Sequence, residues 1–363
     1  MPSQTHIREA TPDNNRRTEE PENTLDHLDR VLDRLERLEN MKDEREKLDE
    51  LDKLISEELD KSRWRRFREV LQPLGCLLTP TLAQLEKPIM DPAVPFDHMD
   101  PFLYDNLKPT PATYEQWEYG WLPARCHDVA ESWENQSPYD MEVFNVTYDD
   151  CAQPWVMCRH KEAQLTLDQM IDNFGRLPVR LRNLVRVQLA FPRSDGSLVA
   201  YAFSDLGDIV YTGDMYAYIR FWFHEAGHIR DRNVNASAGD YSASDVWLNE
   251  YNKDEYICDG YAQTNHAENF AQEVVIAAYD KIVPGGIASL VPNYEDVYNQ
   301  FVAVQNVMGG ELCPGGTCDR LFEDDHIVCM GPEAGCVTEE EHLAARNLRL
   351  AERSEESVEV CSF

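Results

Sequence analysis

The stretch FWFHEAGHIRDR, residues 221–232, constrains the fold more than any other part of the chain. His224 and His228 are four residues apart, and Glu225 follows the first histidine. Residues i and i+4 lie one above the other on a helix, so both imidazoles can reach one ion. Glu225 lies one step further round the helix, where it can reach a water molecule bound to the ion but cannot bind the ion itself. The spacing predicts a helix with two zinc ligands and Glu225 as the general base of a hydrolytic site.

A catalytic zinc site also needs a third protein ligand. The stretch YAQTNHAENFAQE, residues 261–273, begins the next predicted helix, and Glu268 would project from its first turns towards the first helix. His266 cannot share the ion with Glu268, because residues two apart point to different sides of a helix. Tyr261 would place a phenol where it can stabilise a developing oxyanion. A structural reading stays open, in which the histidines bond ordinary neighbours and Asn265 and Glu268 form a capping box.

The two stretches together resemble the catalytic segments of the anthrax lethal factor family of zincin peptidases, over about residues 220–280. The resemblance implies one Zn²⁺ per chain, held by three ligands: His224, His228 and Glu268. It also implies that Glu225 is the general base and that Tyr261 assists the tetrahedral intermediate. The sequence departs from the family pattern at His266 and Asn269, neither of which is a ligand position. The rest of the globular part is similar to the fungal, usually secreted proteins of the conidiation-specific protein 13 group.

The order of the predicted elements, strands before helices, indicates an α+β domain. The runs LVRVQLAF, SLVAYAFS and DIVYTG predict three strands, and three helices are predicted at Met215–Arg230, 265–279 and 294–308. With the resemblance, this order implies a zincin-like metallopeptidase domain, a small twisted sheet with active-site helices. By analogy with zincin folds, the segment 200–213 would form the edge of the cleft and pair with an extended substrate.

Composition changes along the chain predict five regions. The segment 24–70 has leucines at helical spacing among dense charges, which predicts a charged helix or short coiled coil through which the chain could form oligomers. The predicted regions are a disordered segment 1–23, the charged helix 24–70, a proline-rich linker 71–100, the metallopeptidase domain 101–338 with its cysteine-rich C-terminal part, and a charged tail 339–363.

The formal net charge of -33 excludes one class of partner. A surface this acidic repels phosphate backbones, so no nucleic-acid partner is expected. The sequence contains no run of eighteen or more apolar residues, so no membrane span is predicted. Ten cysteines and the sequons at Asn135, Asn145 and Asn235 favour secretion into an oxidising compartment. The N-terminal stretch has no apolar core of a signal peptide, so the cytoplasm is the alternative location.

The cysteine-rich stretches CPGGTC and CMGPEAGC allow two readings. Their spacings of four and six residues fit structural zinc poorly, so disulfides are predicted. Three pairs are near in sequence, but sequence leaves the connectivity open: Cys151 and Cys158, Cys313 and Cys318, Cys329 and Cys336.

Two functions follow from these observations. The first is a zinc metallopeptidase that acts on a peptide or protein substrate. The alternative is a catalytically inactive, secreted zincin-like protein with a binding or structural role, which keeps the pair of helices as a scaffold.

Overall fold

The computed structural model describes residues 84–235 and 239–336, and the backbone of residues 359–362. The chain divides into two units, Met1–Leu77 and Leu78–Phe363, and every described residue belongs to the second. The predicted disordered segment 1–23 and charged helix 24–70, with any oligomer formed through that helix, lie outside the described residues.

A mixed sheet of seven strands forms the centre of this unit. The described residues contain nine strands in all: β1 Ala112–Gln116, β2 Trp121–Pro123, β3 Met141–Tyr148, β4 Trp155–His160, β5 Val187–Phe191, β6 Val199–Phe203, β7 Asp208–Thr212, β8 Ile327–Cys329 and β9 Glu359–Ser362. The sheet has the order β1-β3-β4-β5-β7-β6-β9, and β2 pairs separately with β8. The β4–β5 and β5–β7 pairs are parallel, and the other pairs are antiparallel.

Helices connect and cover these strands. They are α1 Met99–Asn106, α2 Ala124–Asp128, α3 Leu167–Arg176, α4 Val179–Arg182, α5 Arg220–Asn233, α6 Asp245–Tyr251, α7 His266–Ile282 and α8 Tyr298–Met308. Among the described residues, no helix is both long and apolar enough to cross a membrane.

The two faces of the sheet belong to two separate hydrophobic clusters. Side chains alternate along β3, so that Phe144 and Val146 join one cluster while Met141 and Val143 join the other. The first cluster contains the inner faces of α5 and α7, where Trp222 stacks on the β7 side chain of Tyr211 with ring centroids 4.3 Å apart. The second cluster is covered by β2, α2 and β8. The α+β class is therefore confirmed, and the helices α5 and α7 lie on one defined face.

The predicted strands and helices around the motifs are present as β5, β6, β7, α5, α7 and α8. Helix α5 begins at Arg220 rather than at Met215, because the intervening backbone makes the tighter bonds of turns, such as Tyr218 N–H to the carbonyl of Met215. Asp100, on α1, fixes this start by accepting a hydrogen bond from the backbone N–H of Arg220 at 2.9 Å.

Two predictions about extended segments are wrong. Residues 84–100 are not a linker, because Met90, Val94 and Met99 are buried in the first cluster. The prolines there mark irregular backbone that nevertheless packs. The strands of the segment 200–213 are not free to pair with an extended substrate either: β7 lies between β5 and β6, and β6 also pairs with β9, which belongs to the predicted charged tail.

Three disulfides are present among the described residues: Cys126–Cys158, Cys151–Cys318 and Cys329–Cys336. The Cys329–Cys336 pair is one of the three that are near in sequence, while the other two bridges join distant segments. Cys313 has a free thiol, so the expectation that every cysteine of the C-terminal cluster is bridged is wrong. The cysteines described there form no metal site, since the metal-ligand group found in the described residues contains none.

Candidate metal centre

The centre lies where α5 and α7 approach each other most closely. Gly227, in the middle of α5, faces α7 so tightly that an added Cβ would lie 3.2 Å from the Ala271 Cα and 3.1 Å from a Val274 methyl carbon. A larger residue at this position would push the helices apart. Glycine therefore allows side chains on the two helices to converge across the contact.

Three predicted ligands converge there: His224, His228 and Glu268. All three are buried, and their ligand atoms lie within 4.8 Å of one another. The Nε2 atoms of the two histidines are 3.1 Å apart, and the Glu268 Oε2 atom lies 3.2 Å from one and 3.3 Å from the other. Tetrahedral zinc with bonds of about 2.0–2.1 Å places its ligand atoms about 3.3 Å apart. The spacing of the three atoms therefore fits a zinc ion.

The hydrogen bonds around His224 indicate which of its nitrogens carries the proton. The Nδ1 atom lies 3.0 Å from Gln272 Oε1, and the Gln272 amide Nε2–H donates to Asp259 Oδ2 at 2.8 Å. With the amide assigned in this orientation, Nδ1 is the donor and Nε2 holds a lone pair. That lone pair faces a carboxylate oxygen of Glu268, which is also an acceptor. A cation between them would turn this repulsion into attraction.

The protonation states of the site suit a metal ligand set. Burial lowers the pKa of His224, which favours the neutral imidazole that binds metals. Burial alone would raise the pKa of Glu268, but the contacts of its carboxylate with the imidazoles of His224 and His228 outweigh burial and hold that pKa well below its usual value. Two neutral imidazoles and one carboxylate are the donor set of several catalytic zinc sites.

Gln272 and Asp259 form a chain of hydrogen bonds behind the metal ligands, which we name the His224 relay. Asp259 is held in its turn by the backbone N–H of Ala262, which donates to Oδ1 at 2.7 Å. Gln272 is not among the site residues that the sequence predicts. Its position four residues after Glu268 was the available signal, because it places both side chains on the same face of α7.

Glu225 and Tyr261 lie next to these ligands. Glu225 is fully buried on α5. Burial of Tyr211 and, to a smaller extent, the charge of Glu225 raise the pKa of Tyr211 well above its ordinary value. The ring of Tyr261 lies 5.8 Å from the ring of His224, centroid to centroid. Tyr261 is therefore close to the ligand set, while Glu225 is buried on α5 next in sequence to His224.

The first turn of α7 contains a helix cap and a candidate ligand. The Asn265 side chain accepts the backbone N–H of Glu268 at 2.8 Å, so this asparagine is the N-cap. The Glu268 carboxylate is directed to the two histidines instead of returning to the cap. His266 packs elsewhere, with its ring 4.7 Å from that of Tyr251, as expected for a residue that cannot share the ion.

Fold and site together define an α+β domain that buries a His–His–Glu set of metal-ligand type between two packed helices. The chain belongs to the family of the conidiation-specific protein Con-13, whose profile matches residues 98–361. It is similar to conidiation-specific protein 13 of Neurospora crassa, with 34% identity over 235 residues, which cover 63% of this chain and 66% of that protein. No solved structure matches the chain. The expected similarity to the conidiation-specific group is confirmed, and the likeness to the lethal factor family stays a prediction.

Proposed function

We propose that this chain is a zinc-dependent metallopeptidase that hydrolyses peptide bonds in a peptide or protein substrate. The observation that supports this most is the convergence of three buried acceptor atoms at 3.1–3.3 Å. Three protein ligands are typical of catalytic zinc, whereas structural zinc usually has four. Zinc fits the mixed imidazole and carboxylate donors better than calcium or magnesium, which prefer oxygen ligands alone.

When bound, zinc would polarise the scissile carbonyl and lower the pKa of a water molecule. The residues of the chain have separate tasks around it. Glu225 accepts a proton from the attacking water and passes it to the leaving amine. The hydroxyl of Tyr261 donates a hydrogen bond to the developing oxyanion. The His224 relay keeps the proton on Nδ1 of His224 and fixes the orientation of that ring.

The test begins with the zinc content of the purified wild-type protein and of the His224→Ala variant, measured by inductively coupled plasma mass spectrometry. Wild type should contain one zinc per chain, and the variant should contain almost none. Peptidase activity is then measured on a broad panel of unfolded peptides, with Glu225→Gln as the inactive control. Zinc-loaded wild type that cleaves no peptide would refute the enzyme and favour the inactive binding protein. Protein without zinc affinity would also refute the enzyme and favour the inactive scaffold.

A further inference from the structure

A cavity of about 290 Å³ lies on the sheet face opposite to the metal centre. Four aromatic side chains line it and define what we call the aromatic pocket: Trp117, Tyr119, Trp121 and Tyr139. The Tyr119 side chain is 63% exposed and that of Trp121 is 39% exposed, so both offer ring surface to solvent. Aromatic surface exposed at a concave site is typical of ligand binding.

The backbone around the aromatic pocket is held in place by neighbouring segments. The backbone N–H of Trp117 donates to the carbonyl of Val143 on β3 at 2.8 Å. The backbone N–H of Met330, after β8, donates to the carbonyl of Gly120 at 2.8 Å. The Cys329–Cys336 disulfide closes the loop that follows β8. A preformed pocket loses little conformational entropy when a ligand binds, which favours affinity.

The charges at the pocket disfavour an anionic ligand. Asp140 is paired with Lys161 at 2.6 Å, and Glu142 is paired with Arg159 at 2.8 Å. Glu118 lines the pocket and has no hydrogen bond or ion pair with any residue that the structure describes. The carboxylate of Glu118 repels an anion and can accept hydrogen bonds from a ligand. The lining therefore suits a ligand without negative charge that donates hydrogen bonds to Glu118.

We propose that the aromatic pocket binds a neutral oligosaccharide. A pyranose ring has an apolar face of C–H groups, which can pack on the exposed rings of Tyr119 and Trp121. Its hydroxyls are donors and acceptors at once, so one can donate to Glu118 while another accepts from Lys161. A proline-rich peptide also packs on aromatic rings, but proline has no N–H to donate to Glu118.

The test uses the full chain, produced in a bacterial periplasm so that disulfides form and no glycan is attached at Asn145. Chitohexaose, cellohexaose and laminarihexaose are titrated separately by calorimetry, with tryptophan fluorescence as a second signal. At least one should bind, and Tyr119→Ala should weaken that binding by about tenfold through loss of one stacking contact. Tyr114→Ala is the matched control, because this tyrosine is 55% exposed but lies outside the pocket.

Removal of metal with a chelator should leave sugar binding unchanged, because the aromatic pocket and the metal centre lie on opposite faces of the sheet. A failed peptidase test therefore does not affect this proposal. It is overturned if none of the three sugars binds at millimolar concentration, or if the Tyr119 and Tyr114 variants bind equally well. Tighter binding of an oligoproline peptide or of tetramethylammonium would also overturn it.

Discussion

The His224 relay should control metal affinity although neither of its outer members touches the metal. Gln272→Met keeps the length of the side chain and removes its amide. The substitution leaves Nδ1–H of His224 without its acceptor at 3.0 Å and the Asp259 Oδ2 atom without its donor at 2.8 Å. The imidazole is then free to rotate or to take the other tautomer, in which Nε2 carries the proton and cannot bind zinc.

The size of the effect follows from what the relay does to His224. Loss of a partner that orients a metal ligand typically costs about 10–100-fold in metal affinity. This corresponds to about 1.4–2.7 kcal/mol of binding free energy. The buried donor left without a partner also destabilises the metal-free protein, by about 1–3 kcal/mol. Affinity must therefore be compared only at temperatures at which both variants are folded.

Competition with a fluorescent chelator measures the zinc dissociation constant, and circular dichroism establishes that each variant is folded. Gln305→Met is the matched control, because the Gln305 amide also donates to an aspartate, Asp280, at 2.8 Å, but does not contact a metal ligand. The control should bind zinc like wild type. If Gln272→Met binds zinc within twofold of the control, the relay does not position His224 and the reasoning is refuted.

Further substitutions separate rate, metal binding and packing. Glu225→Gln should keep its zinc and lose about 10²- to 10⁴-fold in peptidase rate, because it no longer accepts a proton; activity equal to wild type would contradict this role. Tyr261→Phe should also keep its zinc and lose about 10²- to 10³-fold in rate. Glu268→Ala should differ from both by releasing zinc, which chelator competition detects. Gly227→Ala should lower the free energy of unfolding by about 1–3 kcal/mol in denaturant titration, whereas Gly260→Ala, with 3.6 Å to its nearest neighbour, should not.

The ligand set was predictable because its signals are local. Two histidines four residues apart lie on the same side of a helix. A glutamate in the first turns of the following helix can reach the same ion if the two helices pack against each other. Sequence alone could not decide between ligand and capping roles for Glu268. That decision depends on how closely α5 and α7 approach, which is set by the contact at Gly227.

Features that depend on distant segments were not predictable. Pairing of β9 with β6 joins residues about 160 positions apart, and no local pattern in either strand specifies its partner. The Cys151–Cys318 disulfide spans 167 residues for the same reason. Prolines interrupt any periodicity in residues 84–100, so the sequence predicts a linker there, although the apolar residues between the prolines pack in the core. Local patterns predict elements, whereas pairing and burial depend on the whole chain.

The burial of the candidate ligands would link metal binding to folding. The Nε2 lone pair of His224 and the Glu268 carboxylate face each other at 3.2 Å in a buried site. The folded protein must hold these acceptors together, whereas the unfolded chain hydrates them. A cation that binds only the folded state stabilises it by about 4 kcal/mol when its concentration is 1,000 times the dissociation constant. Because both helices belong to the first cluster, this gain is coupled to the packing of the core as well as to the site.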